Sequence, residues 1–291
     1  MAKIAILSQY SGQVYRGAEV FAQELSSRLH ARIYKHAGQL EPGTQIVIST
    51  NGRRDVFIAK VWCLAHGAKL VVSGQSGPGL DDRLNLYAFP DTFVALTSHQ
   101  ALWAKKINPF VKVGVIPNGV DLQQFNPQVQ PIKIDLPKPV ILTVGARNPS
   151  KTGEVSKRQK LLIAAANKIN CSVLCVGRGG DLELKHNDMP GAYTACDLFS
   201  YPTSPRESFG IAILEAMASG LPVVATDDPI RREIVGNAGL FVDPADTNAY
   251  ATALKKALSL KWGSKPRHQA EKFSWDSVAL KYDQLIRSLN R

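Results

Sequence analysis

Eight short runs that are apolar almost throughout, KIAILS, TQIVIST, KLVVSG, TFVALTS, PVILTVG, CSVLCVG, LFSYPT and PVVAT, punctuate the chain. Between them lie stretches of helical periodicity such as AEVFAQELSSRLHA, RDVFIAKVWCLAHG, HQALWAKKI, KRQKLLIAAANKI and FGIAILEAMASG. A strand with one wet face alternates apolar and polar side chains; a strand that does not alternate is covered on both faces. Strand and helix in strict succession with covered strands predict an α/β fold of doubly wound parallel sheets. The alternation breaks once, at VDLQQFNPQVQPIKIDLPKP, which is rich in Pro and Gln and has no helical period. A linker there divides the 291 residues into two Rossmann-like domains, 1–135 and 136–291.

Composition narrows the partners. The net charge of +11 is spread over both halves, in clusters such as NGRRD, WAKKI and SKRQK, with no basic arm and no basic–aromatic repeat. Nucleic acid is therefore not expected as a partner, whereas phosphate-bearing ligands and an anionic membrane face are compatible. No apolar run approaches the roughly 18 residues a membrane span requires, and MAKIAILSQYSG reads as a first buried strand rather than a secretory signal. The expectation is a cytoplasmic protein. Cys63, Cys171, Cys175 and Cys196 have no paired C-x-x-C spacing and read as reduced structural thiols.

In open parallel sheets ligands gather at the carboxyl ends of the strands, and two such domains facing each other make a cleft. The first strand runs into QYSGQVYRGAE, whose Gly12 and Gly17 let backbone amides approach an anion at a helix entrance. No G-x-G-x-x-G follows it, so a dinucleotide cofactor is not expected. The first strand after the linker leads to Arg147 at its tip and Lys157 at the start of the next helix, a guanidinium fork and a point charge able to hold a diphosphate. Taken alone, basic residues in such a loop are more often solvated surface. In PRESFGIAILEAMASGLP, residues 205–222, Pro205 precedes a helix that begins near Ser208 and ends at Gly220 and Pro222. Glu215 lies inside this apolar helix and Glu207 ahead of it. A carboxylate on such a face either borders a polar crevice or pairs with a lysine, and Glu207 either binds ligand hydroxyls or complements the helix dipole.

Glu207 and Glu215, with seven residues between them in ESFGIAILEAMASGLPVVAT, resemble the signature of glycosyltransferase family 4, retaining enzymes of the GT-B fold. The resemblance extends to RGAEVFAQELSSRL, VIPNGVDLQQFNP, ILTVGARNPSKTGEVSKRQKLLIAA, YTACDLFSYPT, REIVGNAGLFVDPAD and FSWDSVALKYDQLIRSL. It covers the second domain almost throughout, and it implies that the last helix can pack back on the first. By this resemblance Glu207 bonds donor-sugar hydroxyls, Ser208, Phe209 and Gly210 border the donor with backbone amides at the last two, and Glu215 takes the ribose. Arg147 and Lys157 stabilise the departing diphosphate, and Gly17 touches phosphate or sugar. The family needs neither metal nor cofactor, in accord with the lack of a D-x-D pair. The implied activity moves a sugar from a nucleotide-diphosphate sugar to a glycan, lipid-linked or small-molecule acceptor.

Two positions depart from the pattern. Gln75, in KLVVSGQSGPG, stands where the family often has a histidine near the transferred sugar, and Arg16 replaces the first of the usual two glycines at the first helix, where it can add a phosphate contact. Relatives often touch the inner face of a membrane, and WCLAHGAKL and LWAKKINPF mix basic and aromatic residues at helical spacing; a core stripe with exposed lysines is the simpler account of both. A sugar-nucleotide epimerase-like enzyme and a non-catalytic nucleotide-sugar-binding subunit are the alternatives.

Overall fold

A computed structural model of the chain describes residues 3–13, 17–145, 158–203 and 207–290. Contacts divide it into two units, Met1–Gly119 with Trp275–Arg291, and Val120–Ser274.

The first unit runs β1 (Ile4–Leu7), α1 (Gly17–Leu29), β2 (Arg32–Tyr34), β3 (Ile46–Ser49), α2 (Arg54–His66), β4 (Lys69–Ser73), α3 (Leu80–Tyr87), β5 (Thr92–Ala95), α4 (Ser98–Ile107) and β6 (Val113–Val115). Its strands pair in parallel in the order β2-β1-β3-β4-β5-β6. β1, β3, β4 and β5 are the fully apolar runs of the sequence, and their side chains are buried on both faces. Steps from β3 through β6 all go the same way along the sheet, so right-handed crossovers set α2, α3 and α4 on one face, where Val56, Ala59, Cys63, Leu86, Ala101 and Ala104 join one apolar core. Local signals bound these helices: Gly67, at φ 67°, stops α2, and the Thr97 side chain accepts from Gln100 N–H to start α4.

The second unit runs β7 (Val140–Val144), α5 (Gln159–Asn167), β8 (Ser172–Val176), α6 (Met189–Thr194), β9 (Leu198–Tyr201), α7 (Ile211–Ala218), β10 (Val223–Thr226), α8 (Pro229–Val235), β11 (Gly239–Val242), α9 (Thr247–Ser259) and α10 (Lys265–Glu271). Its parallel sheet has the order β11-β10-β9-β7-β8. The chain then returns to the first unit as α11 (Trp275–Leu289), whose apolar side meets α1 through Phe21, with Trp275 and Tyr282 at ring-centroid distances of 6.2 and 5.6 Å. Gly119 is required beside it, because a Cβ there would lie 2.6 Å from the Trp275 ring.

The sequence places a linker at 120–139, with the domain boundary at 135/136; the structure divides the chain at Gly119/Val120 instead. The Pro- and Gln-rich stretch lacks helix and strand as expected, yet it is bound to the second unit. Phe125 is buried, Ile132 N–H donates to Gly191 O at 3.0 Å, and the Arg267 guanidinium donates to the carbonyls of Phe125 and Leu122 at 2.7 and 3.0 Å. None of the four cysteines is in a disulfide; burial pushes the Cys63 and Cys196 thiols up to about 12, which leaves them protonated and unreactive. Among the described residues no helix is long and apolar enough to cross a membrane.

Candidate functional site

Each sheet reverses its winding once. In the first unit the switch lies between β1 and β3, and in the second between β7 and β9. At such a point two loops leave the carboxyl edge in opposite directions and open a crevice between them. The β1 loop carries Gly12 and opens α1 at Gly17, the β7 loop begins at Gly145, and the β9 loop carries Glu207–Gly210. Buried polar atoms without a hydrogen-bond partner among the described residues occur at these strand ends: Ser8 Oγ after β1, Thr143 Oγ1 in β7, Gln159 Oε1 at the start of α5 and Thr203 Oγ1 after β9. An unpaired buried polar atom costs about 1–3 kcal/mol, and its occurrence at the carboxyl edge of each sheet, at Ser8 in the first unit and at Thr143, Gln159 and Thr203 in the second, marks where each would receive a polar ligand.

The β9 loop is shaped by a glycine turn. The sequence predicts a helix beginning near Ser208, but α7 starts at Ile211 because Gly210 stands at φ 96°, a left-handed conformation that interrupts the helical path. A Cβ at Gly210 would come within 2.8 Å of the Tyr201 ring, so only glycine makes this turn. Ser208 and Phe209 thus approach in irregular backbone, with Phe209 buried and edge-on to Phe273 at 6.4 Å. The main chain of Glu207 is fixed by Arg231, whose Nη1 donates to its carbonyl oxygen at 2.8 Å.

Glu215 sits one residue past the middle of α7, a helix whose residues from Ile213 to Ala218 are all buried. A lysine partner, one of the two readings the sequence leaves open, is not what the structure supplies. Tyr193 OH donates to Glu215 Oε2 at 2.6 Å, and His186 Nε2 lies 3.4 Å from Oε1. Burial first, and the facing carboxylate second, push the Tyr193 phenol far above its ordinary range, so it stays protonated and donating. Gln124 Nε2 lies 3.4 Å from both His186 Nδ1 and His186 O, which anchors the ring with its Nε2 facing Glu215. With the side chain 10% exposed, the carboxylate is held from behind and keeps acceptor capacity at its open edge.

In the first unit Gln75 follows β4. Its Nε2 donates to Ser73 Oγ and to Asn118 Oδ1, both at 3.0 Å, while Asn118 Nδ2 donates back to Oε1 at 3.1 Å. The loop beneath is clamped by a second amide: Gln100 Nε2 donates to Gly74 O at 2.8 Å and to Asp82 Oδ2 at 2.9 Å. Asp82 is fully buried, and desolvation pushes its carboxyl up to about 8 despite donors from Asn85, Gln100 and the Gly77 amide. Gln75 is thereby held in one orientation, half-buried at the carboxyl edge.

Arg16, Arg147 and Lys157 lie outside the described residues. Of the other expected positions, Glu207, Ser208, Phe209, Gly210 and Glu215 share one loop and helix of the second unit, while Gly17 and Gln75 follow different strands of the first. Tyr193, His186, Asn118 and Arg231 are additions from the structure. YTACD and IPNGV already contain Tyr193 and Asn118, but nothing local reveals what they grip. Among the described residues, no group of three or more His, Cys, Asp or Glu side chains could hold a metal ion.

Comparison with known proteins agrees with this geometry. Residues 138–259, most of the second unit, match the family described as glycosyl transferases group 1. The chain is 39% identical over 95 residues to O-antigen chain mannosyltransferase B of Escherichia coli, covering 31% of this chain and 25% of the relative. It is 33% identical over 165 residues to phosphatidyl-myo-inositol mannosyltransferase of Mycolicibacterium smegmatis, covering 48% and 41%. The chain therefore spans between a quarter and about two-fifths of the length of these curated relatives. Among solved structures, sucrose-phosphate synthase from Thermosynechococcus elongatus superposes with a TM-score of 0.78 at 18% identity, covering 99% of both chains. HepE from Anabaena, in complex with UDP and glucose, gives 0.76 at 16%, covering 99% of this chain and 100% of that one. The fold is GT-B, and the stretch 138–259 is similar to glycosyl transferases group 1.

Proposed function

We propose that this family 4-like chain transfers a glycosyl group from a nucleotide-diphosphate sugar to a glycan, lipid-linked or small-molecule acceptor, with retention of configuration and without a metal. The observation that carries the reading is the Glu207–Glu215 segment, a left-handed glycine turn at Gly210 followed by a carboxylate braced by Tyr193 and His186, at the switch point of the second sheet. Carboxylates accept from hydroxyl groups, and backbone amides donate to phosphate or sugar oxygens. Glu207 is assigned to the hydroxyls of the transferred sugar, the amides of Phe209 and Gly210 to the same end of the donor beside Ser208, and Glu215 to the ribose. Gln75, neutral and held by Asn118, can give or take one hydrogen bond with a sugar hydroxyl but carries no charge. Gly17 and Arg16 are assigned to phosphate contacts at the first helix. The names of the relatives, an O-antigen chain mannosyltransferase and a phosphatidyl-myo-inositol mannosyltransferase, support a glycan or lipid-linked acceptor.

Cleavage of the bond from the anomeric carbon to phosphate oxygen builds positive charge on the ring and negative charge on the departing diphosphate. Arg147 and Lys157 are assigned to that second charge, in place of a divalent ion. Preorganised donors of this kind are worth about 10²- to 10³-fold in rate when one is removed. The test is transfer from UDP-, GDP-, ADP- and dTDP-sugars with EDTA present, with the product anomer read by NMR. Turnover of one donor class, lost by about 10²-fold or more in Arg147→Ala and Lys157→Ala, is expected. Equal turnover by wild type and Arg147→Ala refutes the role, abolition by EDTA refutes the metal-free mechanism, donor isomerised without acceptor indicates an epimerase, and donor bound but never turned over indicates a binding subunit.

Contact with an anionic membrane face is supported by one feature of the first unit. Trp62 and Trp103 pack against its core, but on α2 Phe57, Val61 and Leu64, at helical spacing, are 42%, 67% and 71% exposed. On the same face of the sheet α4 exposes Leu102, with Lys105 and Lys106 also exposed. Sedimentation with anionic vesicles that falls with salt and with Val61→Asp is expected; binding indifferent to lipid charge argues against it.

A further inference from the structure

Arg231 and Arg232 are neighbours in sequence with opposite fates. Arg232 is an exposed side chain whose Nη2 donates to Asp227 Oδ2 at 2.8 Å. Arg231 is fully buried. Asp228 caps α8, accepting from the amides of Ile230 and Arg231 through Oδ1 at 3.0 Å each, and its Oδ2 accepts from Arg231 Nε at 2.8 Å. Arg231 Nη1 reaches across to Glu207 O at 2.8 Å, and its Nη2 has no hydrogen-bond partner among the described residues. Burying a guanidinium with one nitrogen unpaired is a poor way to gain stability. What the arrangement does achieve is direction. In a trans peptide the carbonyl and the following N–H point opposite ways, so fixing Glu207 O on the Arg231 side turns Ser208 N–H to the other side and sets the take-off of the Glu207 side chain.

We propose that Arg231, steadied by Asp228, is a positioning residue that fixes the Glu207–Ser208 peptide and thereby aims the Glu207 carboxylate at the donor sugar. The aiming rests on the transferase reading given above; the fixing of the peptide does not. The test combines two measurements on Arg231→Met, Arg231→Lys and Asp228→Asn, the last keeping the helix cap while weakening the grip on Nε. Hydrogen exchange across 207–210 should quicken by about tenfold or more in Arg231→Met and by less in Arg231→Lys, while exchange in β7 stays unchanged. In a double-mutant cycle with Glu207→Ala, which retains the carbonyl, Arg231→Met should lower kcat by about 10- to 100-fold in the wild-type background and by less than about twofold once Glu207 is gone. Asp228→Asn should fall between wild type and Arg231→Met in both measurements, so the question is answered even if Arg231→Met does not fold. Unaltered exchange at 207–210, or an equal fold-loss of kcat in both backgrounds, overturns the positioning role. Altered exchange in the variants, when the wild-type protein itself transfers no sugar, overturns the transferase reading and leaves the fixed peptide standing.

Discussion

Removal of one oxygen atom tests how Glu215 is held. Tyr193→Phe keeps the ring contacts with Phe125 and Phe199, at centroid distances of 5.8 Å each, and deletes only the hydroxyl that lies 2.6 Å from Glu215 Oε2. Glu215 is 7% exposed, so water cannot readily replace the lost donor. A hydrogen bond to a buried charged group is worth about 1.5–3 kcal/mol, and the stranded acceptor adds its desolvation, so a loss of about 2–3 kcal/mol is expected. For a unit of this size that is a fall in Tm of about 4–12 °C. Urea unfolding should show it as a lower midpoint with an unchanged slope. Tyr193→Phe in a Glu215→Gln background should cost about 1 kcal/mol or less, because a neutral amide strands no charge, which makes a coupling of about 1–2 kcal/mol in the double-mutant cycle. Loss of the donor should also weaken nucleotide affinity by loosening the carboxylate assigned to the ribose. A Tyr193→Phe protein with wild-type midpoint and no coupling to residue 215 would refute the account of the braced carboxylate.

Asp82 gives the pH dependence. Its folded carboxyl, pushed up to about 8 by burial, holds a proton over a range in which the unfolded carboxyl has already lost it, so its contribution to stability is complete below about 4 and is lost as pH rises to about 8. Denaturation midpoints should fall across that window, and Asp82→Asn should flatten the slope; an identical slope in the variant counts against the burial argument. Gly210→Ala should lose about 1–3 kcal/mol through its φ of 96° and the contact with Tyr201, with donor affinity falling alongside; a stability equal to wild type would mean that the turn is not glycine-dependent. Asn118→Ala frees Gln75 from its reciprocal amide pair, so kcat should drop with little change in Tm, whereas unchanged kinetics would remove Gln75 from the site.

What was legible in the sequence follows from the range of the physics involved. Ile46–Ser49 and Val223–Thr226 announce themselves because a strand covered on both faces has no reason to carry polar side chains, and that is a local property. The caps at Gly67 and Thr97 are local as well. The start of α7 was misread because the apolar period runs back through Phe209 without interruption; only the backbone angle at Gly210 tells that the helix has not begun. The 120–139 stretch reads as a linker because its composition is that of one, while its attachment comes from Arg267 and Gly191, far along the chain.

The least legible residues are the ones whose polarity is enclosed. DDRLNLY looks like the wet side of a short helix, yet Asp82 and Asn85 from it are buried beneath the Gln75 loop. RR in PIRREIV looks like a basic surface pair, yet one of the two arginines is sealed against Glu207 O. In each place a motif residue with an expected role, Gln75 or Glu207, stands on a support that sequence alone would assign to solvent. A polar group is buried at a cost, so its partner indicates what the burial accomplishes. Here the partners are Gly74 O and Glu207 O, main-chain atoms of the two loops that carry those motif residues, and the burial serves to fix the direction of a loop rather than to strengthen a core.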